Sequence, residues 1–275
     1  MEIRHSTHPS QLAAFDTPAL RAHYLVEDLF APGEVRTVYT HHDRVVLGGA
    51  APTPDRPLTL TPAPELRAEF FCQRRELAVL AVRGAGAVLV DGVEHRLGHG
   101  DCLYVGRGAV DVRFHAGGED TRFYLFSTPA HGDHRTAVAR YAEAAVDRLG
   151  DPSTANVREI RKYVHLNGIR SSQLVLGVTT LADGSVWNTM PPHTHDRRTE
   201  CYLYFDLPDD HRVMHLLGEP DATRNLVVRN EQAVISPSWS VHSGAGTHAY
   251  SFVWAMAGEN QEYTDMDPVD ITELR

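Results

Sequence analysis

The sequence predicts a mainly β chain, two stacked antiparallel β-barrels preceded by a short helical N-terminus. Three observations carry this. Short apolar runs punctuated by glycine fill residues 68–127, a second block of the same kind fills residues 173–256, and the two blocks share a grammar. In chain order, Thr17-Pro18 sets a capping hydroxyl and an N-terminal proline before the helix-forming stretch Ala19–Phe30. Five prolines between residues 50 and 64 then read as an extended connection. Leu77–Val82, Ala87–Val90, Glu94–Leu97 and Cys102–Val105 follow as strands, with Asp91-Gly92 a hairpin turn that favours positive φ at both central positions. Val138, Tyr141, Ala142, Ala145 and Leu149 fall at helical spacing before Gly150, so the connector reads locally as a helix. The second block offers Leu174–Leu181, Ser185–Thr189, Cys201–Phe205, Arg212–Leu217, Leu226–Val228, Ala233–Ile235 and Tyr250–Ala255.

The shared grammar is an arginine pair and a glutamate ahead of an apolar strand: Arg74-Arg75-Glu76 before Leu77, and Arg197-Arg198-Thr199-Glu200 before Cys201. A turn-then-strand rhythm repeats at Gly100–Val105 and Asn230–Ile235. Read as an internal duplication, this divides the chain into an N-terminal segment packing on the barrels (1–67), a first barrel (68–132), a connector (133–165) and a second barrel (166–275).

Composition narrows function. With 42 % hydrophobic and 23 % charged residues among 275, the chain is predicted to fold, and intrinsic disorder is excluded as a global description. Twenty-six Lys+Arg against 36 Asp+Glu give a formal charge of −10, with no basic block to neutralise phosphates, so no nucleic-acid partner is expected. The longest aliphatic run, Leu77–Val82, is far below the ~20 residues of a spanning helix, so no membrane partner is expected either. Met1–Gln11 lacks the apolar core of a secretory signal, and Cys72, Cys102 and Cys201 are odd in number and scattered; a cytoplasmic location is the expectation. Histidine, at 17, is the unusual count.

The chemistry concentrates in His193-Thr194-His195, Glu200 and His242, the last five residues after Pro237. Alternate residues of an extended segment share a face, so His193 and His195 point the same way. Glu200 returns to that side after a polar bend, and His242 must come from a partner strand. A histidine pair alone is weak, since this composition gives about one His-x-His by chance; the glutamate offset and the later Pro-x4-His make the pattern specific. Three imidazoles and one carboxylate leave a divalent ion with open positions, as catalytic sites do. The bland reading is an exposed histidine pair on a loop beside an unrelated glutamate.

His-x-His-x4-Glu followed by Pro-x4-His resembles the paired motifs of the cupin superfamily. Trp239 and Gly246 depart from its usual glycine and asparagine and point to a narrower relationship. The strings Gly184-Ser-Val-Trp-Asn-Thr-Met-Pro-Pro-His-Thr-His-Asp-Arg-Arg198 and Asn230-Glu-Gln-Ala-Val-Ile-Ser-Pro-Ser-Trp-Ser-Val-His-Ser-Gly244 resemble the 5-keto-4-deoxyuronate isomerase family. Gly258-Glu-Asn-Gln261, Asp265-Met-Asp267, Tyr39-Thr-His-His-Asp-Arg44 and Arg74-Arg-Glu-Leu77 do so too. The resemblance spans nearly the whole chain, is weakest over 135–155, and there speaks against the helix. It implies a jelly-roll bicupin holding one Zn²⁺ per chain through His193, His195, Glu200 and His242, assembled as a homohexamer. It further implies a ketol-isomerase of uronate and pectin degradation that converts 4-deoxy-L-threo-5-hexosulose uronate to 3-deoxy-D-glycero-2,5-hexodiulosonate through a metal-stabilised enediolate.

Around the four ligands, Tyr202 and Tyr204 share the parity of Glu200 and are expected to line the cavity. Tyr202 and Asp196 are candidates for proton transfer, Asp196 alternatively orienting His195. For an anionic sugar partner, Arg198 and Tyr204 are the substrate-binding candidates, with Arg161, Lys162 and Arg170 behind them. Aligning Glu76 with Glu200 puts Glu69, Phe71 and Val112 where the three histidines stand, which predicts a metal-free first barrel with Arg74 and Arg75 as ion-pair partners. Two other functions use similar residues: an iron-dependent cupin dioxygenase, since the ligand set does not choose the metal, and a non-catalytic sugar-binding bicupin.

Overall fold

A computed structural model describes residues 1–275. Each half is a seven-stranded sheet packed on a four-stranded one, a jelly-roll-type sandwich whose ladders do not close into continuous barrels. The large sheet of the first half runs in the order Glu2–Arg4, Val35–Thr40, Val46–Ala50, Arg122–Pro129, Arg75–Arg83, Cys102–Val105, Ala137–Ala139. Its smaller sheet runs Leu58–Thr59, Val112–Ala116, Gly86–Val90, Val93–Leu97. In the second half the large sheet runs Val146–Leu149, Arg158–Val164, Val175–Leu181, Ser251–Gly258, Arg198–Phe205, Ala233–Ser236, Leu25–Val26, and the smaller one Trp187–Asn188, Ser243–Gly246, Val213–Leu217, Arg224–Val228. No helix is long and apolar enough to cross a membrane.

Alternation along the strands builds three cores. Leu77, Val79, Ala81, Leu103 and Val105 fill the first barrel with Phe71, Val112 and Phe123. Tyr202, Tyr204, Val234, Phe252, Trp254 and Met256 fill the second. The opposite faces of both large sheets meet in a seam containing Ala78, Leu80, Tyr104 and Phe126 against Cys201, Leu203, Ile235 and Val253. All three cysteines are buried and unpaired.

The Asp91-Gly92 hairpin forms as expected, with φ of 50° and 83° joining Gly86–Val90 to Val93–Leu97. Three local expectations are corrected. The helix cap is Asp16, whose Oδ1 accepts the Ala19 N–H, and Thr17 is already helical. That helix ends at Tyr24 instead of Phe30, because Leu25–Val26 pairs with Ala233 and Val234 as the edge strand of the second large sheet. The connector is not helical either. Ala137–Ala139 pairs with Cys102–Tyr104 and Val146–Leu149 with Arg158–Arg161; ladder hydrogen bonds to two open sheet edges outweigh a helical periodicity too short to stand alone. Residues 1–67 do more than pack on the barrels, since Val35–Thr40, Val46–Ala50 and Leu58–Thr59 are strands of the first.

The two halves repeat one topology, and matched main-chain bonds fix their equivalences. Gly100 N–H donates to Ala81 O and Ala81 N–H to Asp101 O; Glu231 N–H donates to Tyr204 O and Tyr204 N–H to Gln232 O. Ala81 therefore corresponds to Tyr204, and stepping back along both strands, Leu77 corresponds to Glu200, Glu76 to Thr199 and Arg75 to Arg198. The alignment of Glu76 with Glu200 is off by one residue, and one residue reverses the face of a strand.

Candidate metal centre

The site lies inside the second barrel, at the end of the strand Arg198–Phe205. Glu200 sits there opposite Ser236 and Met256 on the neighbouring strands, its side chain directed inward. The two-residue strand His193–Thr194 pairs with Asp267–Pro268, and His195 N–H donates to Ser238 O, which carries both imidazoles over the barrel mouth. His242 follows the turn closed by Ser240 N–H to Pro237 O and immediately precedes the strand Ser243–Gly246.

One ligand-type atom from each of His193, His195, Glu200 and His242 lies within 4.8 Å of all the others. His193 Nε2 is 3.2 Å from His195 Nε2 and 3.0 Å from His242 Nε2. Glu200 Oε2 is 2.6 Å from His195 Nε2 and 3.0 Å from His242 Nε2. Donors about 2.1 Å from a common ion stand roughly 3.0 Å apart at right angles and roughly 3.4 Å apart at tetrahedral angles, so the three edges of 3.0–3.2 Å suit one ion, while the 2.6 Å edge is a hydrogen-bond distance. The tautomers agree. His195 Nδ1 is 2.8 Å from the main-chain oxygen of Asp265 and can only donate to it, which leaves Nε2 as the nitrogen that a metal ion would take. His242 Nδ1 is likewise 3.3 Å from Ser240 O. Three imidazole nitrogens and one carboxylate oxygen brought this close together form a donor set that fits a divalent metal.

Electrostatics point the same way. Burial, reinforced by His242 and His195, pushes His193 down to about 2, so this imidazole is neutral. Burial alone would raise the carboxyl of Glu200, but His242 and His195 hold it well below the usual carboxylate range.

The cluster opens into a cavity of about 340 Å³ walled by Arg158, Ile160, Thr189, Tyr202, Trp254, Met256, Tyr263 and Met266, among others. A larger groove of about 860 Å³ between the helix Thr17–Tyr24 and the strand Val35–Thr40 holds no comparable set of donors.

Of the flanking candidates, only Tyr202 reaches this cavity. Its hydroxyl pairs with Thr189 Oγ1 at 2.8 Å, Thr189 being held at a φ of +50° that β-branched residues rarely adopt. Tyr204 lies beneath, its hydroxyl 2.7 Å from His215 Nδ1, and does not line the cavity. Asp196 is exposed on the outer side of the bend, and the group that orients His195 is instead the carbonyl of Asp265. Arg198 is 1 % exposed, and its terminal nitrogens are taken by Glu262 O and Asp265 O, at 2.7 and 2.9 Å, so it is no substrate clamp. Arg197 pairs with Asp265 and Asp267. Arg161 pairs with Glu159 and Lys162 with Asp147, while Arg170 reaches only Leu166 O. Neither Arg74 nor Arg75 forms an ion pair; both donate to main-chain oxygens, Arg75 also to Ser127 Oγ.

Arg158 was not among the sequence candidates. It is the only lysine or arginine on the cavity wall, its one hydrogen bond is to Asn156 O at 2.9 Å, and no carboxylate pairs with it. Burial lowers its affinity for the proton while the nearby Tyr263 and Tyr202 hydroxyls oppose this. The signal available was alternation, because Arg158 shares a strand face with the core residue Ile160.

Two barrels and one inward three-histidine, one-glutamate cluster define a bicupin with a single candidate metal centre. The chain belongs to the KduI/IolB family, whose profile matches residues 25–271. It is 58 % identical, over the full length of both chains, to a Kineococcus radiotolerans protein named 4-deoxy-L-threo-5-hexosulose-uronate ketol-isomerase. It is 49 % identical, again over both full lengths, to a Bacillus subtilis protein of the same name. Among solved structures, an IolB-like protein of Salmonella typhimurium superposes with a TM-score of 0.75 over 90 % of this chain and 96 % of that one, at 15 % identity. Lactobacillus farciminis oxalate decarboxylase superposes at 0.55 over 83 % and 79 %, at 8 % identity. These two likenesses concern the fold alone.

Proposed function

We propose that this protein is a ketol-isomerase that converts 4-deoxy-L-threo-5-hexosulose uronate to 3-deoxy-D-glycero-2,5-hexodiulosonate in uronate degradation, with Zn²⁺ held by His193, His195, Glu200 and His242. The observation that carries the reading is the convergence of four donors on one point at the head of a cavity with a single unpaired guanidinium on its wall. Full-length identity to relatives bearing the isomerase name supports it.

Moving a carbonyl to the adjacent carbon requires a proton to leave one carbon and return at its neighbour. A divalent ion at the four donors would polarise the carbonyl and stabilise the enediolate. The chain's own residues bind and orient the sugar and assist the developing oxyanion. Arg158 binds the substrate carboxylate, for which a guanidinium offers a bidentate fork; the apolar wall of Ile160, Trp254, Met256 and Met266 excludes water and strengthens that pairing. Burial raises the Tyr202 phenol well above its ordinary value, so Tyr202 holds its proton at Oη and acts as a donor to a developing oxyanion, not as the base. Thr189 fixes the direction of that hydroxyl. The first barrel, with Leu77 at the position of Glu200, carries no ion in this reading.

The test is anaerobic incubation of the purified protein with the deoxy-keto-uronate, followed by carbon NMR. Expected is movement of the carbonyl signal without oxygen, loss of turnover on chelation, and recovery with Zn²⁺. Metal-loaded protein that leaves the sugar unchanged overturns the isomerase, and a requirement for oxygen replaces it with a dioxygenase.

A further inference from the structure

Arg198 and Arg75 begin equivalent strands, are both buried, and both direct terminal guanidinium nitrogens to main-chain carbonyls, with no carboxylate partner. Arg75 holds Arg44 O at 2.6 Å and Ser127 O at 2.8 Å, and makes no hydrogen bond to a metal-ligand candidate or to a group that orients one. Arg198 holds the segment 260–265. Its Nη1 donates to Glu262 O at 2.7 Å and Asn260 Oδ1 at 3.4 Å, and its Nη2 to Asp265 O at 2.9 Å and Tyr263 O at 3.4 Å. The Asp265 oxygen is the same atom that receives His195 Nδ1–H at 2.8 Å. One carbonyl is thus shared by a fixed cation and by a ring whose other nitrogen points into the cluster. Asn260 Nδ2 and Arg197 Nε secure the two side-chain oxygens of Asp265, so the residue is held on both its main-chain and carboxylate sides. The same segment supplies Tyr263 and Met266 to the cavity wall.

We propose that Arg198 is a positioning residue for the metal centre: by fixing the Asp265 carbonyl it sets the tautomer and aim of His195, and with them metal affinity. The inference rests on the metal-site reading above. A buried arginine that merely closes a strand end, as Arg75 does, has been turned in the second barrel into an outer support for a ligand. Such outer partners are worth about 10- to 100-fold in affinity. A lysine keeps the charge but offers a single point of contact and cannot span Glu262 O and Asp265 O together.

The experiment measures Zn²⁺ dissociation constants by competition with a chromophoric chelator for the unaltered protein, Arg198→Lys, Asn260→Ala and Arg75→Lys. Nitrogen-15 histidine spectra of the metal-free forms report the His195 tautomer independently of metal. Expected are about 10- to 100-fold weaker binding and a mixed His195 tautomer in Arg198→Lys, and a smaller loss of the same kind in Asn260→Ala, which spares the buried arginine. Arg75→Lys should bind Zn²⁺ as the unaltered protein does, while losing comparable thermal stability. Unchanged affinity and tautomer in the Arg198 and Asn260 variants, or equal weakening in Arg75→Lys, overturns the proposal alone. Failure of the unaltered protein to bind Zn²⁺ overturns it together with the metal-site reading.

Discussion

Glu76 and Glu200 each follow an arginine pair and stand near the start of the fifth strand of their seven-stranded sheet, yet the strands present them to opposite sides. Glu76 faces the seam. Its two oxygens accept Tyr104 Oη–H at 2.7 Å, Thr128 Oγ1–H at 2.9 Å, and the N–H groups of Ser172, Gln173 and Leu174 at 2.7, 3.0 and 2.9 Å. These donors saturate the roughly four lone-pair sites of a carboxylate, and they tie the first barrel to the chain entering the strand Val175–Leu181 of the second. Glu200 has only imidazole nitrogens around it. One carboxylate is consumed by structure and the other is left for chemistry; the surrounding donors, not the residue type or its sequence neighbours, decide which.

Exchanging the two losses is the strongest way to break this comparison. Glu200→Gln should lose bound metal and at least about a thousandfold in turnover, since polarisation by the ion supplies several kcal/mol of the barrier reduction. Its unfolding temperature should move little relative to the metal-free parent. Glu76→Gln should keep one metal per chain while losing roughly 3–5 kcal/mol, because an amide turns its own N–H groups toward buried donors. At this size that is about 10 °C in Tm. Elemental analysis and scanning calorimetry on the two variants separate the roles; metal loss in Glu76→Gln would show that the seam carboxylate also serves the centre.

A milder contrast compares the free arginine with a spent one. Arg158→Met removes the only cation of the cavity wall and should raise KM for the uronate by about 10- to 100-fold, the worth of a charge-assisted contact in a partly dry site, with metal content unchanged. It should also abolish competitive inhibition by simple carboxylates. Steady-state kinetics checks this, and an unchanged KM would move carboxylate recognition away from Arg158.

A further contrast sets Tyr202 against Tyr204. Tyr202→Phe should lower kcat by at least about 100-fold through loss of a positioned proton donor. Tyr204→Phe should leave kcat nearly unchanged and cost about 1–3 kcal/mol of stability, since His215 Nδ1 loses its partner in the interior.

The donor cluster was legible in the sequence because strand alternation and a proline-to-histidine spacing are local rules, and most strands were legible because glycines bracket their apolar runs. What was not legible depends on tertiary partners. Ala137–Leu149 carries a helical pattern, and only the open edges at Cys102–Val105 and Arg158–Val164 turn it into two strands. Asp16 outcompeted Thr17 for the helix cap by a matter of one residue. The face of Glu76 hinged on a one-residue offset that repeated Arg-Arg and Glu letters concealed. Arg158 lay in a segment read as connector, where no alternation was sought. The support of His195 by Asp265 uses a main-chain oxygen, which leaves no trace in residue identity.

The seam itself offers the last and weakest contrast, between the buried Glu76 and an exposed pair bridging the same two barrels. His99 Nε2 lies 3.2 Å from Asp206 Oδ2, with the side chains 48 % and 43 % exposed. The hydrogen bond to Asp206, opposed in part by burial, raises His99 above the usual imidazole value. A group whose folded-state value is raised contributes stability that is fully present below about pH 6.5 and is lost as pH climbs through the folded value. Solvent screening limits this to about 0.5 kcal/mol or less. Asp206→Asn should therefore lower the unfolding temperature slightly at pH 5.5 and leave it unchanged at pH 9, with metal content and kcat untouched. A loss of equal size at both pH values would assign the contact to packing instead of charge.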